Sequence, residues 1–181
     1  MNAGTTTHHF IAKDGREVLL RPPRWEDLDD LLRFINSLVE EGAEILRNLK
    51  VTRDEETDWL GRKLADMEKG KVFWLVAEVD GTVIASSELK IGTGYSRHVG
   101  EIAVGVKRGY RDVGVGTELL NALISHAKTI GLELLTLTVF SSNTRAIHVY
   151  ERIGFEETGR IPHSLFKNGI YRDNIIMTKK L

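Results

Sequence analysis

Apolar residues recur along the chain with two periods, and the points where the period changes mark out its elements. In WEDLDDLLRFINSLVEEG, Leu28, Leu31, Leu32, Ile35 and Leu38 fall at three- and four-residue spacing, which predicts a helix with one buried face, weakened at Gly42. Pro22 and Pro23 precede it, where proline is tolerated, and stop a short strand predicted for Glu17 to Arg21. VTRDEETDWLGRKLADMEKG predicts a second helix: Thr52 and Glu55 form a capping box, Trp59, Leu60, Leu64 and Met67 supply the stripe, and Gly70 ends it.

The period then shortens. VFWLVAEV and TVIASSELKI read as strands joined at Asp80-Gly81, a pair suited to the left-handed angles of a tight hairpin turn. HVGEIAVGV is a further strand through Val99, Ile102, Val104 and Val106. TELLNALISHAKTIG returns to the helical period with Leu119, Leu120, Leu123, Ile124 and Ala127, closed by Gly131. LELLTLTVF reads as a central strand buried on both faces, NTRAIHVYERIGF as a short helix, and Asn168-Gly169 as the turn of a last hairpin. This order predicts an α/β (α+β) fold, a single mixed, mostly antiparallel twisted sheet flanked by helices. The domain is expected over residues 16–181, behind a flexible segment of residues 1–15.

Composition narrows the partners. With 181 residues, 41% hydrophobic and 28% charged, and a net charge of -1, the chain suits one globular domain and nothing calls for nucleic acid or a membrane. The absence of cysteine excludes disulfides, a thiolate metal site and a cysteine nucleophile. The segment MNAGTTTHHF lacks the basic and apolar regions of a secretory signal, so the expected location is the cytoplasm. His8 and His9 have no partner at ligand spacing, and no metal is expected.

RDVGVGTELL, Arg111 to Leu120, carries the candidate chemistry. A glycine bend opening a helix presents free N–H groups and the positive end of the helix dipole, which favour an anion. Gly109 and Gly114 have the spacing of a nucleotide P-loop, but Val115 and Gly116 stand where Lys and Ser/Thr belong. Gly114 and Gly116 also begin a dinucleotide fingerprint, but Leu119 replaces its third glycine. On the glycines alone, an anion site and a plain turn both stand.

The surroundings extend the pattern. Arg111, Gly114 and Gly116 match Arg/Gln-x-x-Gly-x-Gly/Ala, and some thirty residues on, Asn143, Ala146, Tyr150 and Gly154-Phe155 fall into a second motif. Together they resemble the coenzyme A-binding region of the GNAT N-acetyltransferase superfamily, nearly continuously from Gly100 to Phe155. The resemblance implies the GNAT-like acyl-CoA N-acyltransferase fold and an acetyl-CoA-dependent N-acetyltransferase. It implies that acetyl-CoA rests its pyrophosphate on the backbone N–H groups of Arg111, Asp112, Val113, Gly114, Val115, Gly116 and Thr117. The pantetheine arm would lie beside Val104, Gly105 and Val106, with Asn143 and Ala146 nearby, and Arg108 or Arg152 would meet the adenosine 3′-phosphate.

The implied reaction is direct attack of a primary amine on the thioester in a ternary complex, with Tyr150 as general acid and Glu101 as base, directly or through water. One residue in the spacing decides which face of the strand Glu101 takes, and a bulge would reverse it. Glu88, His98 and His163 are the fallback bases. The acceptor is a small-molecule or peptide amine (amino acid, polyamine or protein N-terminus), with Tyr171 and Asp173 as candidates to line its site. A homodimer is compatible with the resemblance, and a non-catalytic CoA-binding or sensing domain is the alternative function.

Overall fold

The computed structural model describes residues 7–181. Its elements run β1 (His8–Ile11), β2 (Glu17–Arg21), α1 (Leu28–Glu40), α2 (Arg53–Glu68), β3 (Val72–Val79), β4 (Thr82–Ile91), β5 (Val99–Val106), α3 (Val115–Thr129), β6 (Leu134–Phe140), α4 (Thr144–Arg152), β7 (Glu156–Lys167) and β8 (Ile170–Lys180). The strands form one sheet in the order β1-β2-β3-β4-β5-β6-β8-β7, antiparallel except for the β5–β6 pair. A parallel pair needs a crossover, and α3 provides it.

Local signals account for the boundaries. Thr52 and Glu55 cap α2 reciprocally, as their spacing predicts. Asp80 and Gly81 both take positive φ in the β3–β4 turn, as do Asn168 and Gly169 in the β7–β8 turn, which matches the right-handed twist of the strands they join.

Helices cover both faces of the sheet. Leu28, Leu31 and Leu60 pack on Val72, Trp74, Val76 and Val83 beneath α1 and α2. On the other face Leu119, Leu120 and Leu123 of α3 sit over Leu75, Ala85, Ile102 and Leu137, with α4 beside them. Among the described residues no helix is long and apolar enough to cross a membrane.

Three expectations are corrected. His8–Ile11 lies inside the stretch expected to fray, yet it pairs with β2 from His8↔Leu20 to Ile11↔Glu17; residues 1–6 of that stretch lie outside the described residues. Phe34, absent from the predicted apolar stripe, is buried on α1, whereas Leu32 and Ile35 are half-buried. β6 is central by pairing but buried chiefly on one face, through Leu135, Leu137 and Val139, while Thr138 is exposed. The helices α1 and α2 cover β3 and β4 instead.

Candidate active site

The site begins where two paired strands part. β5 and β6 share three residue pairs, Val99↔Leu134, Gly100↔Leu135 and Glu101↔Thr136, and then diverge. β4 continues to pair with β5 as far as Val106, and β8 with β6 as far as Phe140, so the facing edges of β5 and β6 open on a gap. That gap leads into a cleft of about 590 Å³ lined by β5, the loop before α3, α4 and the residues after α1.

The loop before α3 is built as an anion cradle. Its carbonyls are held from behind: Val106 O accepts from Arg111 Nε at 2.7 Å, Gly109 O from Arg16 Nη2 at 2.6 Å, and Val113 O from the Lys13 amide at 3.0 Å. The amides are left over. Among the described residues, none of the consecutive N–H groups from Arg111 to Thr117 has a backbone or side-chain acceptor. Positive φ at Asp112 (64°) and Gly114 (101°) turns successive amides to one side, and Gly114 caps α3, adding the helix dipole. A Cβ at Gly116 would meet only Val106 Cγ2 at 3.5 Å, an ordinary contact, so protein packing does not require glycine there. These features fit a diphosphate, which brings anionic oxygens to unpaired donors.

Side-chain charge points the same way. The cleft is lined by the cations Lys13, Arg108, Arg111, Arg145, Arg152 and Lys167 and by the carboxylates Glu41, Glu44 and Asp112. Each carboxylate is engaged: Glu41 by Arg111 and by Arg108 at 3.2 Å, Asp112 by Arg145 at 3.5 Å, and Glu44 by the Ser142 hydroxyl. Lys167 donates to the carbonyls of Gly42 and Ala43. Residues 41–45 therefore form a strap across the cleft, tied to the α3 loop at one end and to the β6–α4 loop and β7 at the other.

Of the residues expected at the site, Val104, Gly105, Val106, Arg111, Asp112, Gly114, Gly116, Thr117, Asn143, Ala146 and Tyr150 line the cleft. Val113 and Val115 do not, because their side chains pack into the core under α3. Asn143 spends its Oδ1 on the Ala146 amide as the N-cap of α4, which leaves its amide nitrogen free. Tyr150 is half-buried with its ring edge-on to Phe155 at 6.1 Å, and burial raises the pKa of its hydroxyl.

Glu101 is not brought to the cleft. The β4–β5 register runs without a bulge from Ala85↔Val106 to Ile91↔Gly100, so Glu101 shares a face with Gly105 but stands four residues along the strand, about 13 Å away. It is exposed, opposite Lys90. Glu88, His98 and His163 also lie outside the cleft, and Glu88 is paired with Lys63 at 2.5 Å. Tyr171 packs against Phe166, and Asp173 binds Arg160 and the His163 amide, so neither lines the cleft. Among the described residues no cluster of His, Cys, Asp and Glu is placed to hold a metal ion.

The strap and Lys13 were not foreseen. Their partners lie far away in the chain, and no local spacing announces contacts made through tertiary structure.

The model of the Acetyltransferase (GNAT) family matches residues 25–155. An N-alpha-acetyltransferase of Sulfurisphaera tokodaii is 27% identical over 164 residues, covering 84% of this chain and 88% of that protein. A spermidine N(1)-acetyltransferase of Escherichia coli is 27% identical over 165 residues, 88% of this chain and 84% of the other. The crystal structure of ribosomal-protein-alanine N-acetyltransferase from Brucella melitensis superposes with a TM-score of 0.78 at 28% identity, over 90% of this chain and 99% of that one.

Proposed function

The chain belongs to the acetyltransferase (GNAT) family and is an acetyl-CoA-dependent N-acetyltransferase, and from that premise we propose that its acceptor is an α-amine, the free N-terminus of a peptide or protein. The acetyl-CoA reading is carried by the row of unpaired amides from Arg111 to Thr117 that borders the cleft. Bound there, acetyl-CoA supplies a thioester that the amine attacks directly. A phenol with an ordinary pKa near ~10 is protonated at neutral pH, burial raises that of Tyr150 further, and its hydroxyl donates to the departing sulfur.

Among the described residues, each carboxylate that lines the cleft is already engaged, which supports an α-amine acceptor. Glu41, Glu44 and Asp112 are each engaged, and Glu101 stands outside the cleft, so its part in proton removal runs through solvent. Deprotonating a lysine or polyamine amine at pH 7 costs about 4–5 kcal/mol, against about 1 kcal/mol for an α-amine with a pKa near ~8. A site without a strong base therefore suits the α-amine. Two of the proteins compared above are named for N-alpha or ribosomal-protein-alanine acetylation, which supports the same choice.

The test is thiol release from acetyl-CoA with peptides bearing a free N-terminus, single amino acids and spermidine at pH 7. Faster turnover of peptides is expected. Preference for spermidine would replace the α-amine reading, and tight CoA binding without release to any acceptor would leave a binding domain.

A further inference from the structure

Two of the cleft's cations, Lys13 and Arg152, have neither a carboxylate within ion-pair distance nor a side-chain hydrogen bond among the described residues, whereas Lys167, also without a carboxylate, donates to the Gly42 and Ala43 carbonyls. Lys13 is the more informative, because it lies in the β1–β2 turn, ahead of residue 25 where the family match begins. Its amide donates to Val113 O at 3.0 Å, which fixes its backbone against the loop whose own amides are free. The turn is held to that loop a second time by Arg16, which donates to Gly109 O at 2.6 Å and stacks over the Tyr110 ring at 4.1 Å. An exposed ammonium is thus anchored, by its own main chain, at the edge of an anion cradle.

We propose that Lys13 is a phosphate ligand of coenzyme A, so that the N-terminal hairpin is part of the cofactor site. The inference rests on the acetyl-CoA reading above. An ammonium is a compact point charge on a flexible stem, suited to a phosphate that shifts between free and bound states. With its backbone already fixed, Lys13 loses only side-chain freedom on contact.

Isothermal titration of the full chain with CoA and with 3′-dephospho-CoA tests this without turnover. Lys13→Ala keeps the main-chain bond to Val113 and should raise the Kd for CoA about three- to tenfold, with Lys13→Arg restoring most of it and the difference shrinking at high salt. A loss that persists with 3′-dephospho-CoA assigns Lys13 to the diphosphate, and a loss that disappears assigns it to the 3′-phosphate. An unchanged Kd for CoA in Lys13→Ala overturns the proposal while leaving acetyl-CoA in place. Failure of the unaltered chain to bind CoA overturns both.

Discussion

Glu41 and Arg111, 70 positions apart in sequence, form an ion pair that joins the end of α1 to the loop ahead of α3. Arg111 also donates to Val106 O at 2.7 Å, so its guanidinium staples loop to strand and is already committed. It acts through its backbone amide toward a phosphate and through its side chain toward the protein. Glu41 is nearly buried, its side chain 8% exposed, and Glu41→Gln leaves a half-buried guanidinium without its countercharge. The expected loss is about 1–3 kcal/mol in denaturant unfolding, with faster hydrogen exchange at the amides of residues 111–117. Unaltered exchange there would separate Glu41 from the loop.

Gly114 and Gly116 are glycines for different reasons, and alanine distinguishes them. Gly114 has φ 101°, so Gly114→Ala strains the backbone and should cost about 1–2 kcal/mol of stability. Gly116 lies in the first turn of α3 with space for a methyl group, so Gly116→Ala should hold or gain up to about 1 kcal/mol through helix propensity. The methyl group borders the cleft, but the motif admits alanine at this position, so CoA affinity should fall by less than about 1 kcal/mol. Paired melting and titration measurements check both, and a larger loss of CoA affinity in Gly116→Ala would mean that its methyl group crowds the bound diphosphate.

Tyr150→Phe should leave the Kd for CoA in place and lower kcat by about 10²–10⁴, the usual range for losing a positioned proton donor. A general acid works only while protonated, and burial raises this phenol above the ordinary ~10. The alkaline limb of kcat in the native enzyme should therefore lie above pH ~10 wherever the protein survives, and it should vanish in the phenylalanine variant. Turnover unaffected by the substitution would leave Tyr150 as a packing aromatic against Phe155.

The sequence made the turns and caps legible because they depend on neighbours in the chain. Thr52 with Glu55, Asp80-Gly81 and Asn168-Gly169 each carry a complete local instruction. The cradle was legible for the same reason, since Gly114 and the start of α3 lie side by side. Phe34 was missed because Leu32 and Ile35 satisfy helical spacing almost as well, and only the sheet beneath α1 decides between the two faces. Glu101 falls outside the cleft because β5 parts from β6 only after the Glu101↔Thr136 pair and the cleft lining on β5 begins at Val104, a divergence that neither strand encodes alone. The strap and Lys13 depend on contacts across most of the chain.

Away from the cleft, Arg21 binds Asp27 in a bidentate pair at 2.7 Å and reaches Glu78 at 2.7 Å, all three being largely buried. Arg21→Ala strands two carboxylates and should cost about 3–5 kcal/mol. Burial alone would raise the Asp27 carboxyl, but hydrogen bonds from Arg21 and the Arg24 amide outweigh it and hold the pKa below its ordinary value. A depressed folded-state pKa contributes stability above the unfolded value and loses it as pH falls through the folded one. Unfolding by acid should therefore steepen below pH ~4, and Asp27→Asn should flatten that limb.

Glu56 titrates with the opposite sign. It is 5% exposed on α2, and among the described residues no side chain or amide bonds to its carboxylate. Burial raises its pKa, against a smaller opposing pull from Arg47. The charged form is then disfavoured in the folded protein, a cost that grows as the pH rises above the ordinary glutamate pKa of ~4.3 and is absent below it, where folded and unfolded chains are both protonated. Glu56→Gln should consequently raise the melting temperature at pH 7, and the gain should fade as the pH approaches 4. A stability gain independent of pH would trace the effect to packing under α2, and a loss at pH 7 would mean that the Glu56 charge is matched by Arg47 in solution.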